Sequence, residues 1–175
     1  MPGTKTLRGN VTIWAVRPEA VSDWTAAISL AEWDAADAAG LITDISQAVE
    51  DGYKLNLTGS KTDNSQSVED VTQVETPVYD EYEASLDIFR NKPGSTGTPA
   101  YDIALSLFDH EGIEYYLVKR VDKTQHAAVE VGDILSAYGV STDIGQDITD
   151  DGSMLMFGAR FKTTGTATTD KTVTA

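Results

Sequence analysis

The segment YEASLDIF, which runs from Tyr82 to Phe89, alternates apolar and polar residues as far as Ile88. Successive side chains of a β-strand point to opposite faces, so this period predicts a strand that is buried on one face only. The apolar face carries Tyr82, Ala84, Leu86 and Ile88. The opposite face carries Glu81, Glu83, Ser85 and Asp87. The chain must therefore build a sheet with one solvated face, and an acidic surface is expected on it.

Other segments repeat the strand pattern around this one. β-branched and aromatic residues favour strands, and Gly, Pro and Asn clusters separate them. The predicted strands are Val11–Val16, Leu41–Ile45 as an edge strand, Tyr53–Thr58, Glu114–Val121, Gly132–Val140 and Ser153–Thr163. Only Tyr101–His110 places apolar residues at helical spacing, which predicts one short amphipathic helix. Ser22–Gly40 lacks an apolar stripe and is predicted to be a long connection with helical turns.

Antiparallel strands joined by short turns predict a mainly β fold of two packed antiparallel sheets, sandwich or barrel-like, with one flanking α-helix. We expect this β domain to span residues 11–163. Residues 1–10 are predicted to form an N-terminal arm and residues 164–175 an extended C-terminal segment, because both are small, polar and aperiodic.

Gly59–Ser67 contains no large apolar residue and is predicted to be a long polar loop or a mobile hairpin tip. Within it lie Ser60, Lys61, Thr62, Asp63, Asn64, Ser65 and Gln66.

The formal net charge is −15, with 28 acidic and 13 basic residues. Binding to DNA requires Lys and Arg to replace counterions, so this charge excludes a nucleic-acid clamp. The chain has no cysteine, which excludes disulfides and thiolate metal sites. No apolar stretch predicts a signal peptide or a membrane span.

No motif predicts an enzyme, a cofactor or a metal. The two histidines, His110 and His126, are far apart in sequence and favour structural roles. The Gly-rich stretch Pro93–Gly97 lacks the Lys of a phosphate-binding loop and indicates a turn. An EF-hand spacing is absent from the acidic cluster near the C-terminus, which leaves a solvated turn or a looser cation site. That cluster is Asp143, Asp147, Asp150 and Asp151.

The run YDEYEASLDIFRN, which starts at Tyr79, resembles a stretch of the major tail proteins (tail tube subunits) of long-tailed phages of actinobacteria. Further elements resemble that family in the same order. They are Ile42–Ser46 upstream, then a Pro/Gly loop, a helix with Tyr101, Leu107 and Phe108, the strand Tyr115–Arg120, and Val131–Asp133. The resemblance covers most of residues 10 to 165, and Ser22–Gly40 departs from it.

The resemblance implies a structural virion protein of the siphovirus type, synthesised in the host cytoplasm. Its implied partners are further copies of itself, in hexameric rings stacked head to tail, and other tail proteins such as the tape measure, distal tail and terminator proteins. DNA would pass through the lumen without specific binding, and no membrane is involved. Glu81, Glu83, Ser85 and Asp87 then become candidate lumen-facing residues, with an outward-facing position as the alternative. Residues 60–66 become candidates for ring stacking.

Two other hypotheses stay open. A monomeric β-sandwich binding module, of the adhesin or carbohydrate-binding type, would need exposed aromatic side chains. The candidates for such a patch are Trp14, Trp24 and Trp33. A tube protein of a related contractile injection system would differ in having a sheath as partner.

Overall fold

The computed structural model describes residues 10–63, 76–94, 97–121, 123–148 and 155–175. The strands are β1 (Val11–Val16), β2 (Ile42–Asp44), β3 (Lys54–Asp63), β4 (Thr76–Phe89), β5 (Glu114–Val121), β6 (Ile134–Thr142), β7 (Gln146–Ile148) and β8 (Met156–Thr172). The helices are a 3₁₀ turn (Pro18–Ala20), α1 (Leu30–Ala38) and α2 (Pro99–Phe108).

All strand pairs are antiparallel, and the long strand β8 belongs to two sheets. The order is β2-β1-β5-β6-β8-β4-β3, and β7 pairs with β8. Residues 156–160 of β8 pair with β4, and residues 161–172 pair with β6. A first sheet, β2-β1-β5-β6-β8, thus passes into a second sheet, β7-β8-β4-β3. The predicted class, a mainly β sandwich, is confirmed.

The main core lies between the two sheets. Leu55 and Leu86 of the second sheet and Leu117 and Val140 of the first are completely buried in it. Helix α2 adds Phe108, whose ring makes edge contacts with the rings of Tyr115 and Phe161. The helix was predicted at this place, and it flanks the sandwich as expected.

A second core covers the other face of the first sheet. The irregular segment after β1, together with α1, brings Trp24, Ile28 and Trp33 onto Trp14 and Tyr116. Trp24 stacks on Tyr116 with ring centroids 4.0 Å apart, and Trp33 meets Trp14 edge-on at 5.3 Å. The first sheet is therefore buried on both faces.

Helix α1 corrects the prediction of a single helix, since the described part of the chain contains two α-helices. Its signal was weak because only Trp33 and Ala36 of α1 are buried, and the buried Trp24 and Ile28 precede the helix. Periodicity predicts a helix only where apolar residues recur along one face for several turns, and α1 has only two buried residues.

Three strands are longer than the sequence predicted, and one of them, β4, begins at Thr76 instead of Tyr82. β3 continues through Gly59 to Asp63 because β4 pairs with it there, in a part that was predicted to be a long polar loop or a mobile hairpin tip. β8 continues to Thr172, past the expected domain boundary at residue 163, because it pairs with β6. Val173 follows as a fully buried residue whose amide donates to the Asp133 carbonyl at 2.8 Å. Residues 164–173 are therefore part of the folded chain itself.

Candidate assembly surfaces

The outward face of β4 has the alternation that the sequence predicted. Tyr82, Ala84, Leu86 and Ile88 are buried, while Glu81 is exposed and Glu83, Ser85 and Asp87 are partly exposed. β4 is a central strand with β3 on one side and β8 on the other. The four candidate lumen residues thus lie together on the outer face of the second sheet.

Basic side chains from both neighbouring strands lie on the same face. Lys54 Nζ of β3 donates to Glu83 Oε1 at 2.9 Å, and Arg160 Nη1 of β8 lies 3.5 Å from Asp87 Oδ1. The face is consequently mixed in charge, which corrects the expectation of a smooth negative surface. The acidic residues all belong to β4, whereas the cations come from the neighbouring strands β3 and β8. Only the pairing register shows that these cations lie beside the acidic residues.

The β3–β4 hairpin projects beyond the sheet to which it belongs. Among the described residues, β8 pairs with β4 only over Ser85–Phe89, whereas β3 pairs with it as far as Thr76. Within the described ranges, the part of β4 before Ser85 pairs with β3 alone, and Thr76–Glu81, the six residues that precede the buried Tyr82, extend as a two-stranded ribbon, roughly 17 Å long at about 3.3 Å per residue. Of the candidate stacking residues, Ser60, Lys61, Thr62 and Asp63 belong to this ribbon. Asn64, Ser65 and Gln66 lie outside the described residues.

A buried ion pair that sequence reasoning missed holds the β5–β6 connection. The Arg120 side chain is 1% exposed, and its guanidinium donates to Asp133 Oδ2 at 3.0 Å and to the Ala127 carbonyl at 2.8 Å. Lys123 Nζ lies 2.7 Å from Asp133 Oδ1. Burial by itself would raise the pKa of Asp133, but hydrogen bonds from Lys123, the Glu130 amide and Arg120 outweigh it and lower this pKa. The pair is structural, since the connection packs around it.

The remaining titratable candidates are engaged in surface pairs. His126 Nδ1 lies 2.8 Å from Asp44 Oδ2, and His110 pairs with the neighbouring Asp109. Asp143 pairs with Lys162 and Asp147 with Arg90, whereas Asp150 and Asp151 lie outside the described residues. Within the part of the chain that the structure describes, no group of three or more His, Asp or Glu residues has the arrangement of a metal site.

The three tryptophans are buried, with exposed fractions of 6% for Trp14, 7% for Trp24 and 4% for Trp33. They fill the second core and form no surface patch. The aromatic surface that a carbohydrate-binding or adhesin module would need from these residues is therefore absent.

None of the helices in the described ranges has the length and apolar character needed to cross a membrane.

A search of curated proteins finds no match to the chain. The family model described as phage tail tube protein matches residues 1–175, the full length of the sequence. That family is one of structural proteins of the virion and is not a known enzyme family. Its match agrees with the mainly β sandwich and with the resemblance found around β4, and the chain belongs to the phage tail tube protein family, as a structural component of the virion tail.

Proposed function

We propose that this chain assembles into hexameric rings that stack head to tail as a phage tail tube, whose channel carries DNA into the host. The observation that carries this proposal is the family match over residues 1–175. Rings require one cyclic contact between copies, and stacking requires a second, open-ended contact. The partners expected beyond the tube are the tape measure, distal tail and terminator proteins.

The charge of the chain supports a channel that DNA crosses without binding. Six copies at −15 each bring roughly ninety negative charges to a ring before counterions are counted. Such a ring repels phosphates, so DNA slides past it. Glu81, Glu83, Ser85 and Asp87 are proposed to face the lumen. Lys54 and Arg160 reduce the net charge of that face locally, so the repulsion depends on the whole ring more than on one strand.

The β3–β4 hairpin is proposed to join successive rings. Its ribbon projects from the second sheet and is therefore available to another copy. Ser60–Asp63 of this ribbon, and the polar residues 64–66 that follow them in the sequence, are proposed to contact the next ring.

Negative-stain electron microscopy of the purified chain at increasing concentration tests the proposal. We expect hollow rings or tubes with sixfold top views. A chain that stays monomeric at every concentration, and also in the presence of preformed tail-tip complexes as initiators, would contradict it.

A further inference from the structure

The two sheets leave an open groove at one end of the sandwich, with a volume of about 490 Å³. Three aliphatic side chains line it: Leu57 of β3, Val121 of β5 and Ile134 of β6, which are 43%, 41% and 54% exposed. Arg120 pairs with Leu135, so the next residues along the two strands, Val121 and Ile134, are adjacent. Apolar residues clustered around a concave site indicate an interaction surface, whereas scattered ones do not.

A lysine lies among these aliphatic groups. Lys119 Nζ donates to the backbone carbonyl of Leu55 at 2.9 Å and lies 5.9 Å from the centre of the Tyr138 ring. Desolvation lowers the pKa of Lys119, and the nearby Asp170, which also lines the groove, partly offsets that effect. An ammonium group has three N–H donors, so Lys119 can donate further to a carbonyl or carboxylate that enters the groove.

The most exposed large apolar side chain in the described part of the protein is Ile144, at 72%. It stands at the tip of the turn between β6 and β7, and this turn is held in place. The Asp143 amide donates to the Arg160 carbonyl at 2.9 Å, and the Asp143 carboxylate accepts from Lys162 at 3.0 Å. A Cβ on Gly145 would lie 2.0 Å from the Phe157 ring, so the turn backbone rests directly on that ring. Ile144 is thus presented on a fixed support.

The groove and Ile144 lie at opposite ends of β6. Ile134 begins the strand at the groove, and Thr142 ends it two residues before Ile144. The eight steps from Ile134 to Thr142 span about 26 Å at roughly 3.3 Å per residue. Ile144 of one chain therefore cannot enter the groove of the same chain, and only another copy can bring the two together.

We propose that the Ile144 turn of one copy inserts into the Leu57–Val121–Ile134 groove of the next copy. The inference rests on the proposed self-assembly and names the surfaces of one contact. Asp143 and Asp147 already pair with Lys162 and Arg90 of their own chain, so the contact depends on the apolar fit and on a hydrogen bond from Lys119 to a carbonyl of the inserted turn. The two surfaces differ, so the contact is heterologous and repeats in one direction from copy to copy.

Thiol cross-linking tests this contact cleanly because the chain has no cysteine. We would combine Ile144→Cys with Ile134→Cys, concentrate the protein under assembly conditions and add a short bis-maleimide. Denaturing gels should show a ladder of covalent multimers for the double variant and monomers for Ile144→Cys alone. The matched control joins Ile134→Cys to Ile103→Cys, because Ile103 is 50% exposed but lies on α2. This control should remain monomeric.

Ile144→Asp gives a second readout. We expect it to raise the concentration needed for assembly about tenfold or more, equivalent to about 1.4 kcal/mol per contact. Its urea unfolding midpoint as a monomer should not change, because Ile144 contributes little to the core. Ile103→Asp is the control that should assemble normally.

The outcomes separate the two proposals. Tubes that form without a ladder, or that form normally from Ile144→Asp, overturn the contact and leave the tube function standing. A ladder without rings or tubes supports the contact and contradicts the tube function. No ladder and no assembly under any condition contradicts both.

Discussion

Lys119 and Arg120 show how neighbouring residues of one strand acquire different roles. Their side chains point to opposite faces of β5, as alternation requires. Lys119 faces the groove, whereas Arg120 is buried beside Trp14, with its guanidinium 5.1 Å from the Trp14 ring centre. In sequence the pair is two adjacent basic residues just before the end of a predicted strand. In the structure Arg120 organises the turn into β6 through Asp133 and two backbone carbonyls.

Arg120→Met should destabilise the protein by about 3–5 kcal/mol, because it leaves the buried Asp133 carboxylate without one of its two cationic partners. Arg160→Met is the control and should cost no more than about 1 kcal/mol, since its ion pair with Asp87 is solvent-accessible. Urea unfolding followed by tryptophan fluorescence measures both. A change below about 1 kcal/mol for Arg120→Met would show that the pair does not hold the connection.

The lowered pKa of Asp133 gives this ion pair a pH dependence. A carboxyl whose folded-state pKa lies below its unfolded value of about 3.9 adds stability above that value and loses it as the pH falls through the folded pKa. The stability difference between wild type and Asp133→Asn should therefore be complete at neutral pH and should shrink below about pH 4. A difference that persists unchanged at the acid end would contradict this assignment.

Glu81→Cys tests whether the β4 face lines the channel. In assembled tubes we expect the thiol to react with a small maleimide but to be protected from a polyethylene-glycol maleimide too large for the lumen. Asp102→Cys, on the exposed side of α2, is the control and is expected to react with both reagents. Equal reaction of Glu81→Cys with both reagents would place this face on the outside of the tube.

Among the elements, the β3–β4 hairpin and the C-terminal half of β8 have a similar polar composition but different surroundings. β8 after residue 160 pairs with β6, and Thr168 within it donates through its hydroxyl to the Trp24 carbonyl at 2.6 Å. The hairpin ribbon pairs only within itself among the described residues. We therefore expect the C-terminal half of β8 to be needed for folding and the β3–β4 hairpin to be needed for assembly.

Deletion of residues 60–66 should leave a folded monomer that does not form tubes. Ser60–Asp63 belong to the ribbon, which pairs only within itself among the described residues, so the far-ultraviolet circular dichroism spectrum should lose only the contribution of the ribbon. Deletion of residues 164–175 is the contrasting variant and should abolish cooperative unfolding, because it removes the β8–β6 pairing and Val173. Normal tubes from the 60–66 deletion would refute the stacking role.

For the molecule as a whole, the opposing quantities are apolar contact between copies and the repulsion of like charges. Each copy carries −15, and exposed charges repel over about 30 Å at 0.01 M salt but over only about 3 Å at 1 M. Contacts of the kind proposed for Ile144 are apolar, and salt does not weaken them.

Added salt should therefore promote assembly. We expect the critical concentration, measured by light scattering and sedimentation, to fall as sodium chloride rises from about 0.01 M to about 1 M. Ion pairs between copies as the dominant contacts would produce the opposite trend. Sodium sulfate should act more strongly than sodium chloride, because sulfate is excluded from the protein surface.

Local patterns in the sequence were sufficient for the strands β1 and β5, for the Tyr82–Phe89 part of β4 and for the buried face of that part. Val11–Val16 and Glu114–Val121 have the bounds that were predicted, because β-branched and aromatic runs and period-two alternation express a preference of each segment alone. The net acidity and the absence of cysteine are likewise properties of the chain before it folds.

Everything that depends on which strands become neighbours came from the tertiary structure. The polar ends of β3 and β8 became strands because β4 and β6 pair with them. Helix α1 and the segment before it form a layer because they bury the apolar outer face of the first sheet. The acidic face of β4 acquired Lys54 and Arg160 from the adjacent strands, and the groove formed where the two sheets part. Strand pairing, burial and charge neutralisation all bring together residues that are distant in sequence, so the periodicity of a single segment cannot predict them.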